Sequence, residues 1–252
     1  MDDRRNPPDR PPKQRRVVTL LLEAEKIGEL VLLFALYSLI PRITDLLHLA
    51  PRRLDVSLDH ALPFVAAFVL AYGGLYPFCL VPFVYTRTNR YYRRVFAAFA
   101  GCMLTGYAVF LVFPVQMVLR PALDGQTGFA VTVVRFIYGH DSPLNCFPSM
   151  HVALAQLVAW TAGEIDARLA RPAWLVALLI TLSTVLIKQH YLADVAGGTL
   201  LAYAAYRATL YGYARRNPPD PADHRSPLAL LIPAGLYLGL VVAAIVAWRL
   251  SG

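Results

Sequence analysis

The sequence predicts an all-α fold, a polytopic transmembrane helical bundle of six core helices plus a seventh C-terminal span, and three observations predict it. Apolar residues make up 57% of the 252-residue chain and charged residues only 16%, too apolar a balance for a soluble domain of this length. The apolar residues come in blocks of roughly 16 to 25, close to what a hydrocarbon core requires of a helix. The basic residues behind the net charge of +8 sit between those blocks, which argues against a nucleic-acid partner and for a chain threaded through a bilayer.

The elements follow in order. Residues 1–16, MDDRRNPPDRPPKQRR, are polar and proline-rich and are expected to form a disordered basic tail with no cleavable signal peptide. Val17 to Glu25 is amphipathic, a pattern suited to the interface. The first span is expected over Lys26–Leu47, interrupted by Pro41 and Arg42. The others are expected over Ala61–Tyr85, Arg94–Met117, Ser149–Ile165, Ala173–Ile187 and Asp194–Leu210, with the seventh over Pro227–Trp248. Each must be helical, because lipid offers no partner to an unpaired backbone group. The domains read as a tail over 1–16, a six-helix membrane domain over 17–212, a polar linker over 213–226 and an added C-terminal transmembrane helix over 227–252. With the N-terminus inside, about twice as many Lys and Arg fall in inner segments as in outer ones. That bias predicts a multi-pass protein of the cell membrane with its C-terminus outside.

Cys79 and Cys102 lie in apolar blocks and read as small core residues. Cys146 lies in a loop with no pairing pattern or metal spacing, so the redox compartment stays open. His48, His60 and His224 read as interfacial polar anchors, and His140-Asp141 as a loop polar pair.

The polar residues that are harder to explain collect on one membrane face, the outer one in this topology. The loop between the third and fourth spans carries Arg120-Pro121 and then Asn145-Cys146-Phe147-Pro148-Ser149-Met150-His151. The loop between the fifth and sixth carries Lys188-Gln189-His190-Tyr191 and then Asp194. This set fits phosphoryl transfer. Arg120 and Lys188 supply positive charge, although Arg120 alone fits a lipid headgroup equally well. Pro148 suits the start of a helix whose first amides, around Ser149 and Met150, face a phosphate. His151 and His190 offer imidazoles for chemistry near neutral pH. His190 and Asp194 are four apart and share a face if helical.

At these residues the sequence resembles the type 2 phosphatidic acid phosphatase superfamily. Phe147-Pro148-Ser149-Met150-His151 and Lys188-Gln189-His190-Tyr191-Leu192-Ala193-Asp194 resemble its second and third signatures. The first signature keeps Arg120-Pro121, with Phe113 where the family has Lys. The third keeps Ser183, His190 and Asp194, with Thr184 where the family has Arg. The resemblance implies six core helices and metal-independent processing of lipid phosphates, with no cofactor. It implies His190 as the nucleophile that forms a phosphohistidine, Asp194 orienting it and His151 as the general acid. Arg120, Lys188, Ser149 and Pro148 would hold the phosphate. The Lys-Gln-His-Tyr form is most similar to the branch containing inositolphosphotransferases of sphingolipid synthesis. The expected partners are a lipid phosphate substrate and the surrounding membrane lipids.

Two enzymatic readings share this chemistry: hydrolysis of a lipid phosphate, and transfer of a phospho-headgroup to a lipid hydroxyl. A third reading is a transporter or lipid-binding protein whose histidines are structural. The absence of a repeat of the transporter kind and the clustering of polar residues at one face rather than mid-membrane favour an enzyme.

Overall fold

The computed structural model describes residues 28–29, 31–47, 49–85, 89–217 and 231–250. The expected tail over 1–16, the amphipathic segment over 17–25 and the linker from 218 to 226 lie outside the described residues. The chain divides into two units, Met1–Leu39 and Ile40–Gly252. In the first, residues 31–37 are helical.

The second unit is an all-α polytopic membrane bundle, with no strand among the described residues. Its helices are α1 (Ile40–Leu46), α2 (Ser57–Ala61), α3 (Val69–Gly73), α4 (Leu75–Tyr85), α5 (Asn89–Val112), α6 (Phe129–His140), α7 (Met150–Ile165), α8 (Ala167–Leu186), α9 (Leu192–Thr209), α10 (Tyr213–Arg216) and α11 (Leu231–Leu250). Among the described residues, four apolar stretches are long enough to cross a bilayer: Ala66–Phe83, Tyr91–Val112, Ala167–Leu186 and Pro233–Leu250.

The boundaries differ from expectation where local chemistry overrides hydropathy. The first expected span is broken by a turn at 38–39, after which Pro41 occupies the first turn of α1, where its missing N–H has no intrahelical role. The third stops at Val112 and not at Met117, because Phe113 precedes Pro114 and the residue before a proline is driven to extended geometry. The fifth starts at Ala167, ahead of Pro172, because Asp166 caps it by accepting the Arg168 N–H at 2.9 Å. The segment between the third and fourth spans is not all loop. It holds α6, an apolar helix of 12 residues, roughly 18 Å long and too short to cross.

Helix α7 is the centre of the bundle. It packs most extensively against α8 and α9 and also meets α4 and α5. Val152, Ala153, Leu154, Ala155, Leu157, Val158 and Ala159 are all buried, which is why the helix is apolar all round rather than amphipathic. Gln156 bonds across to Thr199 at 3.0 Å. Gly198 permits close approach of α9, since a Cβ there would fall 2.5 Å from the Ser149 carbonyl oxygen.

Three loops are stitched together at one end of the bundle. Arg52 N–H donates to the Pro114 carbonyl and Gln116 N–H to the Arg52 carbonyl, both at 2.9 Å. Cys146 N–H donates to Val115 and Met117 N–H to Pro143. Val115, Met117, Cys146 and Tyr191 form a buried cluster beneath these bonds. The loop chain is thus fixed where the motif residues emerge, and its backbone groups are satisfied away from water.

Candidate active site

The turn between α8 and α9 places His190. Thr184 ends its hydrogen-bonding run by accepting both the Gln189 N–H (2.9 Å) and the His190 N–H (3.1 Å) on one carbonyl. His190 Nδ1 lies 3.0 Å from the Cys146 carbonyl oxygen and 3.4 Å from Asp194 Oδ2. A carbonyl only accepts, so Nδ1 carries the proton and Nε2 the lone pair. The orienting group nearest the ring is therefore a backbone carbonyl, with the Asp194 carboxylate behind it.

Asp194 is fully buried in the first turn of α9. Its Oδ2 accepts the Tyr191 N–H at 2.8 Å, a helix-capping bond that also suits the dipole. Oδ1 is buried without a partner among the described residues. Its carbonyl accepts the Ser149 N–H at 3.0 Å, which ties the start of α7 to the start of α9.

Ser149 is the N-cap of α7, its Oγ accepting the Val152 N–H at 3.3 Å. The Ser149 amide is thus committed to Asp194, and the helix-end donors outside the ladder are those of Met150 and His151. Pro148 lies just before the cap, in a cis peptide with Phe147, and is not in the first helical turn. His151 faces His190 with ring centroids 6.3 Å apart. Tyr72 of α3 stacks on the His151 ring at 3.8 Å and 17°, and Tyr76 meets it edge-on at 6.3 Å. His151 Nε2 is buried and unpartnered among the described residues.

Arg120 is clamped between the end of α6 and the turn that carries His190. Its Nη1 donates to the carbonyls of Tyr138 (3.3 Å) and Asp141 (3.2 Å), and its Nη2 to Gln189 Oε1. The guanidinium lies 4.8 Å over the Tyr138 ring, and its Nε is buried without a partner among the described residues.

Lys188 turns elsewhere. Its backbone is left-handed (φ 52°), and its Nζ donates to the Asp59 and Leu62 carbonyls, each at 2.7 Å. Two of its three N–H donors are spent, leaving one. Burial pulls the ammonium pKa down, against the opposing charge of Asp59.

The remaining motif positions have structural partners. Phe113 packs edge-on to Phe147 under the Arg52 guanidinium, 4.6 Å from its ring centre. Thr184 Oγ1 donates to Thr181 at 2.8 Å. His140, expected with Asp141 as a loop polar pair, instead ends α6 and stacks on Phe136 of that helix, and His60, expected as an interfacial anchor, pairs with Asp55 at 2.9 Å. His48 and His224 lie outside the described residues.

Cys146, His190 and Asp194 offer ligand atoms within 4.8 Å of one another. The thiol donates to Pro143 O at 3.2 Å, and burial, followed by the Asp194 charge, pushes its pKa well above the usual thiol value. A metal would need the thiolate, whereas the thiol is protonated and donates to Pro143, and of the Asp194 carboxylate only Oδ1 is unpartnered among the described residues.

Sequence reasoning missed Tyr72, Gln189 and Asp59, and the role of the Cys146 carbonyl. Tyr72 sits in an apolar span and carries no local signal. Gln189 lies inside the third motif, but its amide looks incidental until Arg120 is placed against it. Asn145 is likewise buried, with both ends of its amide unpartnered among the described residues.

A family model described as the PAP2 superfamily matches residues 40–208, and no curated protein matches the chain. The match covers about two thirds of the chain and takes in each of these side chains, leaving α11 outside. With its paired imidazoles, capped carboxylate and clamped arginine all inside that match, the chain belongs to the PAP2 superfamily of phosphatase-like lipid phosphoesterases.

Proposed function

We propose that this protein is a metal-independent lipid phosphate phosphatase of the cell membrane that works through a phosphohistidine, with its active site on the extracytoplasmic face. The observation that carries this reading is the His190 ring, oriented through Nδ1 by the Cys146 carbonyl at 3.0 Å and facing His151 across 6.3 Å. In that arrangement His190 Nε2 attacks phosphorus. His151, held by the Tyr72 stack, protonates the departing lipid oxygen, and then deprotonates the water that releases phosphate. Asp194 backs the imidazolium that forms. Arg120, the amides of Met150 and His151 under the Ser149 cap, and the remaining Lys188 N–H steady the phosphoryl oxygens.

A second reading replaces water with a lipid hydroxyl, as in the inositolphosphotransferase-like branch. It is favoured by the exposure of Tyr76 (58%) on a bilayer-crossing stretch while its ring edge meets His151. That contact offers a lateral approach from lipid to the acid, and His190 itself is nearly closed to solvent.

The test is to incubate purified protein with ³²P-labelled phosphatidate in mixed micelles, with and without ceramide as acceptor, and to quench in alkali and in acid. An alkali-stable, acid-labile phosphoprotein that vanishes in His190→Ala supports the phosphohistidine. Free phosphate identifies the phosphatase, and a labelled acceptor lipid identifies the transferase. A phosphoprotein retained in His190→Ala refutes the assignment.

A further inference from the structure

Asp59 lies in α2, far from every motif residue in sequence, yet it is only 2% exposed. Its carboxylate is divided between two backbone amides. Oδ2 accepts the Val56 N–H at 2.8 Å, which closes the turn at the start of α2. Oδ1 accepts the Leu192 N–H at 2.9 Å, which belongs to the first residue of α9. The Asp59 carbonyl, together with that of Leu62, takes the Lys188 ammonium. Segment 56–62 therefore grips the catalytic turn at Lys188, two residues before His190, and at Leu192, two residues after it.

The same segment is anchored elsewhere. Arg52 is bonded to Pro114 and Gln116, and Leu54 packs on the cluster of Val115, Met117, Cys146 and Tyr191. A buried carboxylate is costly unless amides satisfy it, and here the amide at the α9 N-terminus also brings a favourable dipole. With both oxygens committed to amides, Asp59 is arranged to hold backbone and not to touch substrate. The turn it holds contains Lys188 in the left-handed region, a conformation that persists only when its surroundings enforce it.

We infer that Asp59 is a positioning residue for His190, acting through the Leu192 amide and the Lys188 ammonium to fix the turn that carries the nucleophile; this rests on the phosphohistidine reading above. A displaced nucleophile loses rate far more than phosphate affinity, because of the phosphate-holding groups only the spare Lys188 N–H lies on this turn, while Arg120 and the α7 amides come from other elements.

The experiment uses full-length protein in detergent micelles. Asp59→Asn keeps the shape but only one acceptor oxygen, and Asp59→Ala removes both. Leu192→Pro deletes the donor from the other side, at a helix position where proline is tolerated. With an aryl phosphate and with phosphatidate, kcat is expected to fall about tenfold in Asp59→Asn and up to about a hundredfold in Asp59→Ala. The inhibition constant for inorganic phosphate should stay within about threefold. Asp59→Ala combined with Leu192→Pro should be no worse than the poorer single variant, since both remove the same Asp59–Leu192 bond. Backbone amide exchange across 188–194 should quicken at least about tenfold in Asp59→Ala, a readout that requires no turnover. Unchanged exchange in Asp59→Ala overturns the inference, as does wild-type kcat in both Asp59 variants. So do additive losses in the double variant, or a phosphate inhibition constant that rises in step with the loss of kcat. Wild-type protein that releases no phosphate from either probe would count against the phosphatase reading alone, while the exchange measurement would still decide for or against Asp59.

Discussion

The Cys146 carbonyl oxygen lies 3.0 Å from His190 Nδ1, closer than the Asp194 carboxylate at 3.4 Å. The group that fixes the tautomer is thus part of the backbone, and the side chain of Cys146 is dispensable for it. Cys146→Ala is expected to keep kcat/KM within about threefold, because the carbonyl survives the substitution. Burial raises the thiol pKa, so at pH 8 the thiolate is scarcer than for an ordinary cysteine and alkylation is slow. Raising the pH should speed alkylation. Iodoacetamide treatment at pH 8 followed by assay checks this, and rapid inactivation that Cys146→Ala abolishes would contradict it.

Tyr72 supports the other imidazole. An aromatic stack of this kind is worth about 0.5–1.5 kcal/mol, and here it sets the plane of His151. Tyr72→Leu should lower kcat on phosphatidate roughly three- to tenfold, with Tyr72→Phe closer to wild type because the ring remains. Steady-state assays of both variants give the comparison, and equal rates in Tyr72→Leu and wild type would show that the stack does not orient the acid.

Tyr72 also shows where sequence reading stops. Blocks of apolar residues revealed the membrane helices, since hydropathy follows directly from the solvent the helix faces. Their ends were set by Pro114 and the Asp166 cap, local effects that a hydropathy pattern does not resolve. Helix α6 was missed because a helix of 12 residues between two polar stretches is too short to register as a span. The motif spacing placed His151, His190 and Asp194 at one face, and they do meet. Lys188 could not be read correctly in full: a cation beside a histidine suggests phosphate, and only the fold brings the Asp59 and Leu62 carbonyls to it. Contacts between residues more than a hundred positions apart leave no trace in local pattern.

Activity should persist in excess chelator. The buried carboxylates of the site already accept backbone amides, Asp194 on Oδ2 from Tyr191 and Asp59 on both oxygens from Val56 and Leu192, which leaves Asp194 Oδ1 as a single unpartnered carboxylate oxygen among the described residues. Magnesium-dependent phosphoryl transfer draws instead on free carboxylate oxygens. Assay of phosphate release with EDTA, with and without added magnesium, measures this. Loss on chelation and recovery with magnesium would overturn the metal-free reading.

Orientation is testable at exposed positions. Gln126 lies in the loop before α6 and Arg215 in α10, and both are exposed. Under the charge bias of the sequence, Gln126→Cys should react with an impermeant maleimide in intact cells. Arg215→Cys should react only after permeabilisation. Each is placed in a chain with Cys79, Cys102 and Cys146 replaced. The reverse pattern would move the active site to the cytoplasmic face.

The two imidazoles should differ in how leaving groups rescue them. His190→Ala removes the atom that bonds to phosphorus, so no improvement in the leaving group restores the covalent route. His151→Ala removes a proton donor, which matters most when the departing oxygen is a poor leaving group. With phosphatidate the loss should be on the order of a hundred- to ten-thousand-fold. With an activated aryl phosphate, whose oxygen leaves without protonation, phosphorylation of the protein should be much less affected. The water-activating step still wants His151, so label should accumulate on the His151→Ala protein. Asp194→Asn should fall between the two, because the imidazole keeps its Cys146 bond but loses the charge behind it. Rapid-quench measurements with aryl and lipid substrates separate these steps. Equal rescue of both histidine variants by the aryl phosphate, or label trapped on His190→Ala, would exchange or remove the assigned roles.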